Sequence, residues 1–350
     1  MCKMNEIIDT HFKNKIISTW LGILCILIIS MVSLGGYTRL TNSGLSITEW
    51  QPIRGIIPPS NEQDWQTEFG KYQDSPEFQK INNSMTISEF KHIYVIEFAH
   101  RILGRVIGMA LILPFLYLAF SGYFSSREVF IYLFAIILLF TQGVMGWYMV
   151  QSGLINEPHV SHFRLSAHLL LACLLYMILL WQLLHQFGHN ITIERTENFS
   201  LCRRLILLSN VLLLTQIVFG GFVAGLKAGL IYNEFPLMDD SFTPPELHNI
   251  KMDWAVFSNP VFVQFLHRIT AYLVLIINII LYIRIRKLAN FQLNHAAIIM
   301  LLITIIQALV GILTLIYVVP LNLAMIHQFG AMILLSSSLW VAYLLSANSQ

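Results

Sequence analysis

Four of the 12 histidines, His100, His168, His267 and His327, lie at or just inside the heads of long apolar segments. The other eight, His11, His92, His159, His162, His185, His189, His248 and His295, fall in polar stretches or at segment ends, where a solvated or interfacial side chain is expected. An imidazole inside an apolar span is costly and usually functional, as a metal ligand, a proton relay or an interhelical hydrogen-bond partner. A carboxylate accompanies the first of the four: Glu97 stands three residues before His100, on the same helical face, whereas neutral Gln264 holds that place before His267. Thiols offer little chemistry, because Cys2, Cys25, Cys173 and Cys202 contain no Cys-x-x-Cys pattern.

The elements that position these residues follow from composition. With 56% hydrophobic and 11% charged residues, the chain is too apolar for a soluble domain, where about a quarter of residues are charged. Eight apolar segments, near 16–35, 93–120, 129–150, 165–184, 205–226, 261–283, 296–319 and 321–345, each suit a helix of roughly 20 residues across a bilayer core. No alternating ten-residue strands suggest a barrel, so the expected fold is an all-α polytopic membrane protein. The net charge of +2 singles out no partner, and no nucleic-acid binding is expected. Lys3, Lys13, Lys15, Arg127, Arg195, Arg203, Arg204, Arg284, Arg286 and Lys287 gather at one side, against Arg164, Lys227 and Lys251 in the short loops of the other, which places both termini in the cytoplasm. The first apolar run lacks a small-residue cleavage site and is expected to remain as an anchor; Glu6 and Asp9 argue against a mitochondrial transit peptide and favour a bacterial inner membrane.

The chain also repeats itself. Glu97-Phe-Ala-His100-Arg101 reads like Gln264-Phe-Leu-His267-Arg268, and Gln142-Gly-Val-Met-Gly146 like Gln307-Ala-Leu-Val-Gly311. Gly35-Gly36 echoes Gly220-Gly221, and Trp181 and Trp340 each follow a histidine, His168 or His327, by thirteen residues. An ungapped alignment would set His162 against His327, but the tryptophan match and deeper position favour His168. Four plus four helices in the same orientation imply two tandem four-helix bundles related by a pseudo-two-fold axis along the membrane normal. The expected division is an N-terminal half, 1–184, with an outer loop 36–92; a cytoplasmic linker, 185–204; and a C-terminal half, 205–350.

Two imidazoles at equal depth on facing helices suit a haem, whose iron takes axial ligands from opposite sides and whose flat apolar ring fills a bundle core. Small residues, Gly104, Gly108, Ala172, Ala271 and Ala331, lie one or two turns from the histidines and would admit the ring. Arg101, Arg105 and Arg268 are placed to pair with propionates or to snorkel to water. Zinc fits less well, since it wants three or four close ligands. The halves are unequal: a site that only passes electrons needs no proton-handling group, so Glu97 assigns oxidative chemistry to the N-terminal half and electron transfer to the C-terminal half. A Glu97–Arg101 ion pair is the plain alternative.

The sequence resembles the haem A synthase family over nearly its whole length, in particular the mitochondrial and alphaproteobacterial branch. The resemblance rests on Gly35-Gly36-Tyr37-Thr38-Arg39-Leu40-Thr41 with Ser43-Gly44-Leu45, and on Trp65, Phe69, Tyr72 and Pro76-Glu77-Phe78. It rests also on Glu97 to Arg101, His168, His267-Arg268 and His327. The cysteine pair found in an outer loop of some bacterial members is lacking, so no thiol chemistry carries over. The resemblance implies oxidation of the C8 methyl of haem O to a formyl group, by successive hydroxylations and loss of water, supplying haem A to a terminal oxidase. His100 and His168 would then ligate the iron of substrate haem O, with Arg101 and catalytic Glu97 beside it, and His267 and His327 the iron of a haem b cofactor. An enzyme making haem O and oxidase assembly factors are implied as partners. Two other classes compete: a di-haem b cytochrome that takes electrons from quinol, and a transporter using the histidines as proton relays.

Overall fold

A computed structural model describes residues 2–50, 55–155, 158–188, 196–251 and 253–346, with side chains from residue 13 onward. Of the expected linker, His189, Asn190 and Glu194 lie outside the described residues. The described chain is helical: α1 (Cys2–Leu40), α2 (Glu62–Gln73), α3 (Pro76–Lys80), α4 (Ile87–Phe120), α5 (Ser126–Leu154), α6 (His162–Gln186), α7 (Glu197–Gly225), α8 (Pro260–Arg286), α9 (Phe291–Ile316) and α10 (Leu321–Ser346). All except α2 and α3 are long and apolar enough to cross a membrane, the first over Lys13–Leu40.

The helices outrun the apolar segments because capping residues, invisible to hydropathy, set their ends. Thr86 and Glu89 form a capping box that starts α4 six residues before its apolar run, and a capping box of Ser125 with Glu128 starts α5 three residues before its own. Thr196, Asn259 and Asn290 cap α7, α8 and α9 with side-chain oxygens, and Pro260 opens α8 where its missing N–H costs nothing. One proline, Pro114, sits inside α4 and removes a backbone hydrogen bond there.

The chain forms two compact units, one of Met1–Cys25 with Cys173–Gln350, the other Ile26–Ala172. In the first of these, α7 packs on α8, α8 on α9, α9 on α10 and α10 back on α7, closing a four-helix ring. A polar chain crosses its apolar interior. The Ser209 hydroxyl donates to Asn278 Oδ1 at 2.6 Å, Asn278 Nδ2 to Thr304 Oγ1 at 3.0 Å, and Thr304 to the Met300 carbonyl at 2.8 Å. All three side chains are buried, so each hydrogen bond replaces a desolvated polar group with a satisfied one. At the same spacing from Gly35, His100 and Gly146, the N-terminal half carries Leu24, Leu111 and Leu139. Asn278→Leu is expected to lower the unfolding free energy in detergent by about 1–2 kcal/mol, since membrane interhelical hydrogen bonds reach roughly that value. Steric-trap or denaturant titration measures it.

In the other unit, α4 packs on α5, while α2 rests on α4 and α3 on α5. The loop helices are held by aromatic packing: Phe69, Tyr72, Phe90 and Tyr94 form a buried cluster with Ile47 and Ile93. Tyr72 stacks on Phe90 at 5.2 Å, donates to Glu77 Oε2 and accepts from Asn82 Nδ2. Burial pushes its phenol above the usual tyrosine range.

Candidate functional site

Each of the four intramembrane histidines meets a glycine on a neighbouring helix. A β-carbon on Gly35 of α1 would stand 3.1 Å from His100 Nε2, and one on Gly146 of α5 would stand 3.1 Å from His168 Cε1. In the second bundle the distances are 3.3 Å from Gly220 of α7 to His267 Cε1 and 2.7 Å from Gly311 of α9 to His327 Cε1. Any side chain there would compete with the imidazole for the same space. The repeated glycines of the sequence are thus the floor on which each ring lies.

The repeated glutamines sit one turn earlier on the same faces. Gln142 Nε2 donates to the His168 carbonyl at 2.9 Å, and Gln307 Nε2 to the His327 carbonyl at 2.7 Å. Gln142 and Gly146 therefore stand to His168 as Gln307 and Gly311 stand to His327. His162, the other candidate, lies beside Phe163 with ring centres 4.1 Å apart. Sequence reasoning passes over Gln216, yet this residue precedes Gly220 by the same four positions and approaches His267 Nε2 at 3.3 Å. The Gln-x-x-x-Gly spacing shared by Gln142–Gly146, Gln216–Gly220 and Gln307–Gly311 is the signal that could have found it. Gly330 is a further omission: a β-carbon there would collide with Gln307 Oε1, so this glycine leaves room for the amide that holds His327.

The second pair faces itself directly. The rings of His267 and His327 lie 6.5 Å apart, centre to centre, at 81°. Two imidazoles binding one metal from opposite sides, each nitrogen about 2 Å from it, bring their ring centres to about 6 Å. Among the described residues the buried Nδ1 atoms of His168 and His267 have no hydrogen-bond partner, a cost that calls for an explanation such as a bound ligand or ion. His267 and His327 would fit a metal held between facing helices, such as the iron of a haem.

Glu97 and Arg101 turn out to be bound to the backbone of the loop that follows α1. Glu97 is buried; its Oε2 accepts from the Ser46 hydroxyl at 2.7 Å and the Ile47 N–H at 2.9 Å, and its Oε1 from Arg101 Nη2 at 2.7 Å and Nε at 3.1 Å. Arg101 also donates to the carbonyls of Ile47 and Glu49. The matching residues of the second half do the same by other means. Gln264 Nε2 donates to the carbonyls of Ala228 and Ile231, and Arg268 to those of Tyr232 and Leu237. In both halves the residue three before the histidine and the arginine after it clasp the loop that leaves the preceding helix. Beside the first clasp lies a cavity of about 320 Å³ lined by Arg101, Arg105, Tyr94 and Phe98 together with loop residues.

Fold and site together define a polytopic α-helical membrane protein with paired imidazoles set against glycines inside its spans. Residues 18–339 match the COX15-CtaA family, described as cytochrome oxidase assembly protein, and the chain belongs to that family. Among curated relatives it is 44% identical over 336 residues to "Heme A synthase" of Rickettsia bellii, covering 96% of this chain and 100% of that protein. It is 42% identical over 336 residues to "Heme A synthase" of Rickettsia africae and of Rickettsia felis, with the same coverage.

Proposed function

We propose that the chain is a haem A synthase, which oxidises the C8 methyl of haem O to a formyl group in the membrane. The observation that carries the reading is the facing pair His267–His327 at 6.5 Å, in a chain nearly full-length with relatives of that name. In this reading His267 and His327 hold a haem b, which supplies one-electron transfer, and His100 and His168 hold the substrate haem O. The basic residues favour both termini in the cytoplasm, which puts the histidine ends of the spans toward the outer face of a bacterial inner membrane.

Glu97 takes a positioning role here. Its hydrogen bonds go to Arg101 and to the Ser46–Ile47 turn, so its charge fixes the loop above His100. Arg101 shares that duty, and its position on the 320 Å³ cavity beside Arg105 keeps the positive charge one turn of α4 from His100, where propionates would lie. Glu97→Ala leaves a guanidinium and a backbone N–H without their buried acceptor, at a cost of about 3–5 kcal/mol. Protease sensitivity around residues 43–49 is expected to rise sharply. Glu97→Gln, which keeps one acceptor oxygen, is expected to protect the loop and to retain part of the turnover. Glu97→Gln inactive with the loop fully protected would instead favour an acid–base role.

The test of function is direct. The purified protein, given haem O, a reductant and oxygen, is expected to yield haem carrying a formyl group, read by chromatography of extracted haem. A membrane cytochrome that only passes electrons from quinol would yield haem B alone and leave haem O unchanged.

A further inference from the structure

A flat, largely apolar porphyrin partitions into the membrane, so a site that takes one in and gives one up needs an opening at membrane depth. The seam between α4 and α5 is built like one. Two contacts fix the antiparallel register of these helices. Phe115 meets Tyr132 with ring centres 6.1 Å apart, and a β-carbon at Gly108 would stand 3.9 Å from Leu139 Cδ2. One turn closer to the histidines the same register sets Gly104 opposite Gly143, and the next turn sets His100 opposite Trp147. A β-carbon at Gly143 would meet nothing within 4 Å among the described residues, and at Gly104 the nearest atom is Met31 Cε of α1, at 3.4 Å. Exposed apolar side chains, Met109 of α4 and Phe140 and Val144 of α5, flank this stretch. Arg101 Nη1 holds the Glu49 carbonyl at 2.9 Å, which brings the next residue, Trp50, to the end of the seam. There its ring lies 5.8 Å from that of Trp147, which directly follows Gly146, the floor of His168. Both indoles are exposed.

The same seam in the other half is filled and tied. Ala271, Leu275 and Ala308 stand where the first half has Gly104, Gly108 and Gly143, and Ile312 stands in place of Trp147. Asn278 Nδ2 donates to Thr304 Oγ1 between α8 and α9 at 3.0 Å, where the first half has Leu111 and Leu139, which form no hydrogen bond. At the outer end Asn233 Nδ2 donates to the Gly229 carbonyl at 2.7 Å and to the Leu315 carbonyl of α9 at 2.8 Å, joining the clasped loop to the helix.

We infer that the substrate porphyrin enters, and the product leaves, sideways through the α4–α5 seam, with Trp50 and Trp147 as the latch over it. The inference rests on the reading of the first pair as the substrate site. Parting two exposed indoles breaks no hydrogen bond between them and leaves each at the membrane interface, where tryptophan is at home. The three glycines leave the width of their missing side chains to a flat ring. A cofactor that stays in place needs no such passage, and the hydrogen-bonded seam of the second half offers none.

Exchange rates separate a passage from a brace. Protein carrying haem B and loaded with haem O is mixed with empty phosphatidylcholine vesicles to follow loss, and protein without haem O is mixed with vesicles containing it to follow uptake. Haem extracted from the protein fraction at timed intervals is identified by chromatography. Trp50→Ala and Trp147→Ala are each expected to raise both rates by about two- to tenfold, the worth of one aromatic pair, with the ratio of the rates unchanged. Gly143→Leu, which fills the open space without reaching a histidine, is expected to slow both, and haem B is expected to stay bound in every variant. Faster loss with unchanged uptake in the tryptophan variants, or wild-type exchange in Gly143→Leu, would overturn the inference. Haem B exchanging at rates set by these substitutions, with haem O retained, would instead overturn the reading of the first pair as the substrate site.

Discussion

Replacing either His267 or His327 by alanine is expected to abolish conversion of haem O while leaving the protein folded in the membrane. In the proposed reading each substitution would remove one of the two imidazoles that hold the haem, whose rings stand 6.5 Å apart, and with it much of the haem's affinity. Replacing a residue that only supports a metal ligand costs about 10–100-fold in affinity or activity, and removing the ligand itself costs more. The low-spin bis-imidazole signal in electron paramagnetic resonance is expected to vanish for that iron. Turnover above a few per cent of wild type in His267→Ala would contradict the electron-delivery role proposed for it.

Gly311→Val is expected to have an effect nearly as large without touching a ligand. Even the first carbon of a side chain at Gly311 would lie 2.7 Å from His327 Cε1, and a β-branched residue adds two more atoms with little freedom to turn away. Overpacking of this kind costs about 1–3 kcal/mol. Here the strain falls on the imidazole, so roughly a 10- to 100-fold loss of haem retention is expected from the same energy. Gly143→Ala, at a glycine with nothing within 4 Å, is the matched control and is expected to behave as wild type. Haem content per protein after gel filtration in detergent distinguishes them. Equal retention in Gly311→Val and Gly143→Ala would mean that the His327 ring is not fixed by α9.

Much of this is legible in the chain itself. Apolar length locates all eight spans, because a bilayer imposes a single minimum on every helix that crosses it. Helix ends are less visible: α4 begins at Ile87 through the Thr86–Glu89 capping box, in a polar turn that hydropathy assigns to the loop. The internal repeat marks Gly35, Gly146, Gly220 and Gly311 as recurrent without revealing why. Only the approach of each glycine to a particular imidazole gives the physical reason, and that approach also explains the equivalence of His168 with His327. Gln216 escapes a search for repeats because its partner in the first half is Met31, so the pattern is broken where the two halves differ most. Glu97 reads as an acid–base group from its place beside His100. Its i,i+4 ion pair with Arg101 is equally legible, but its other partners, Ser46 and Ile47, lie about fifty residues earlier, at a distance in sequence that no helical spacing encodes.

Glu97 with Arg101 and Gln264 with Arg268 perform one structural task with different charges, so a carboxylate in one half does not by itself mark chemistry there. The stronger asymmetries lie deeper, in the Ser209–Asn278–Thr304 chain and in the glutamines around His267 and His327. They distinguish the half in which the proposed haem b would sit.

The most direct measurement is the identity of the haem extracted from four single variants, His100→Ala, His168→Ala, His267→Ala and His327→Ala, each purified in the same detergent. Unequal pairs predict that the first two retain haem B and lose haem O and haem A, while the last two lose haem B. Loss of haem B from His100→Ala or His168→Ala, with haem B retained in His267→Ala and His327→Ala, would contradict the assignment of cofactor and substrate to the two halves.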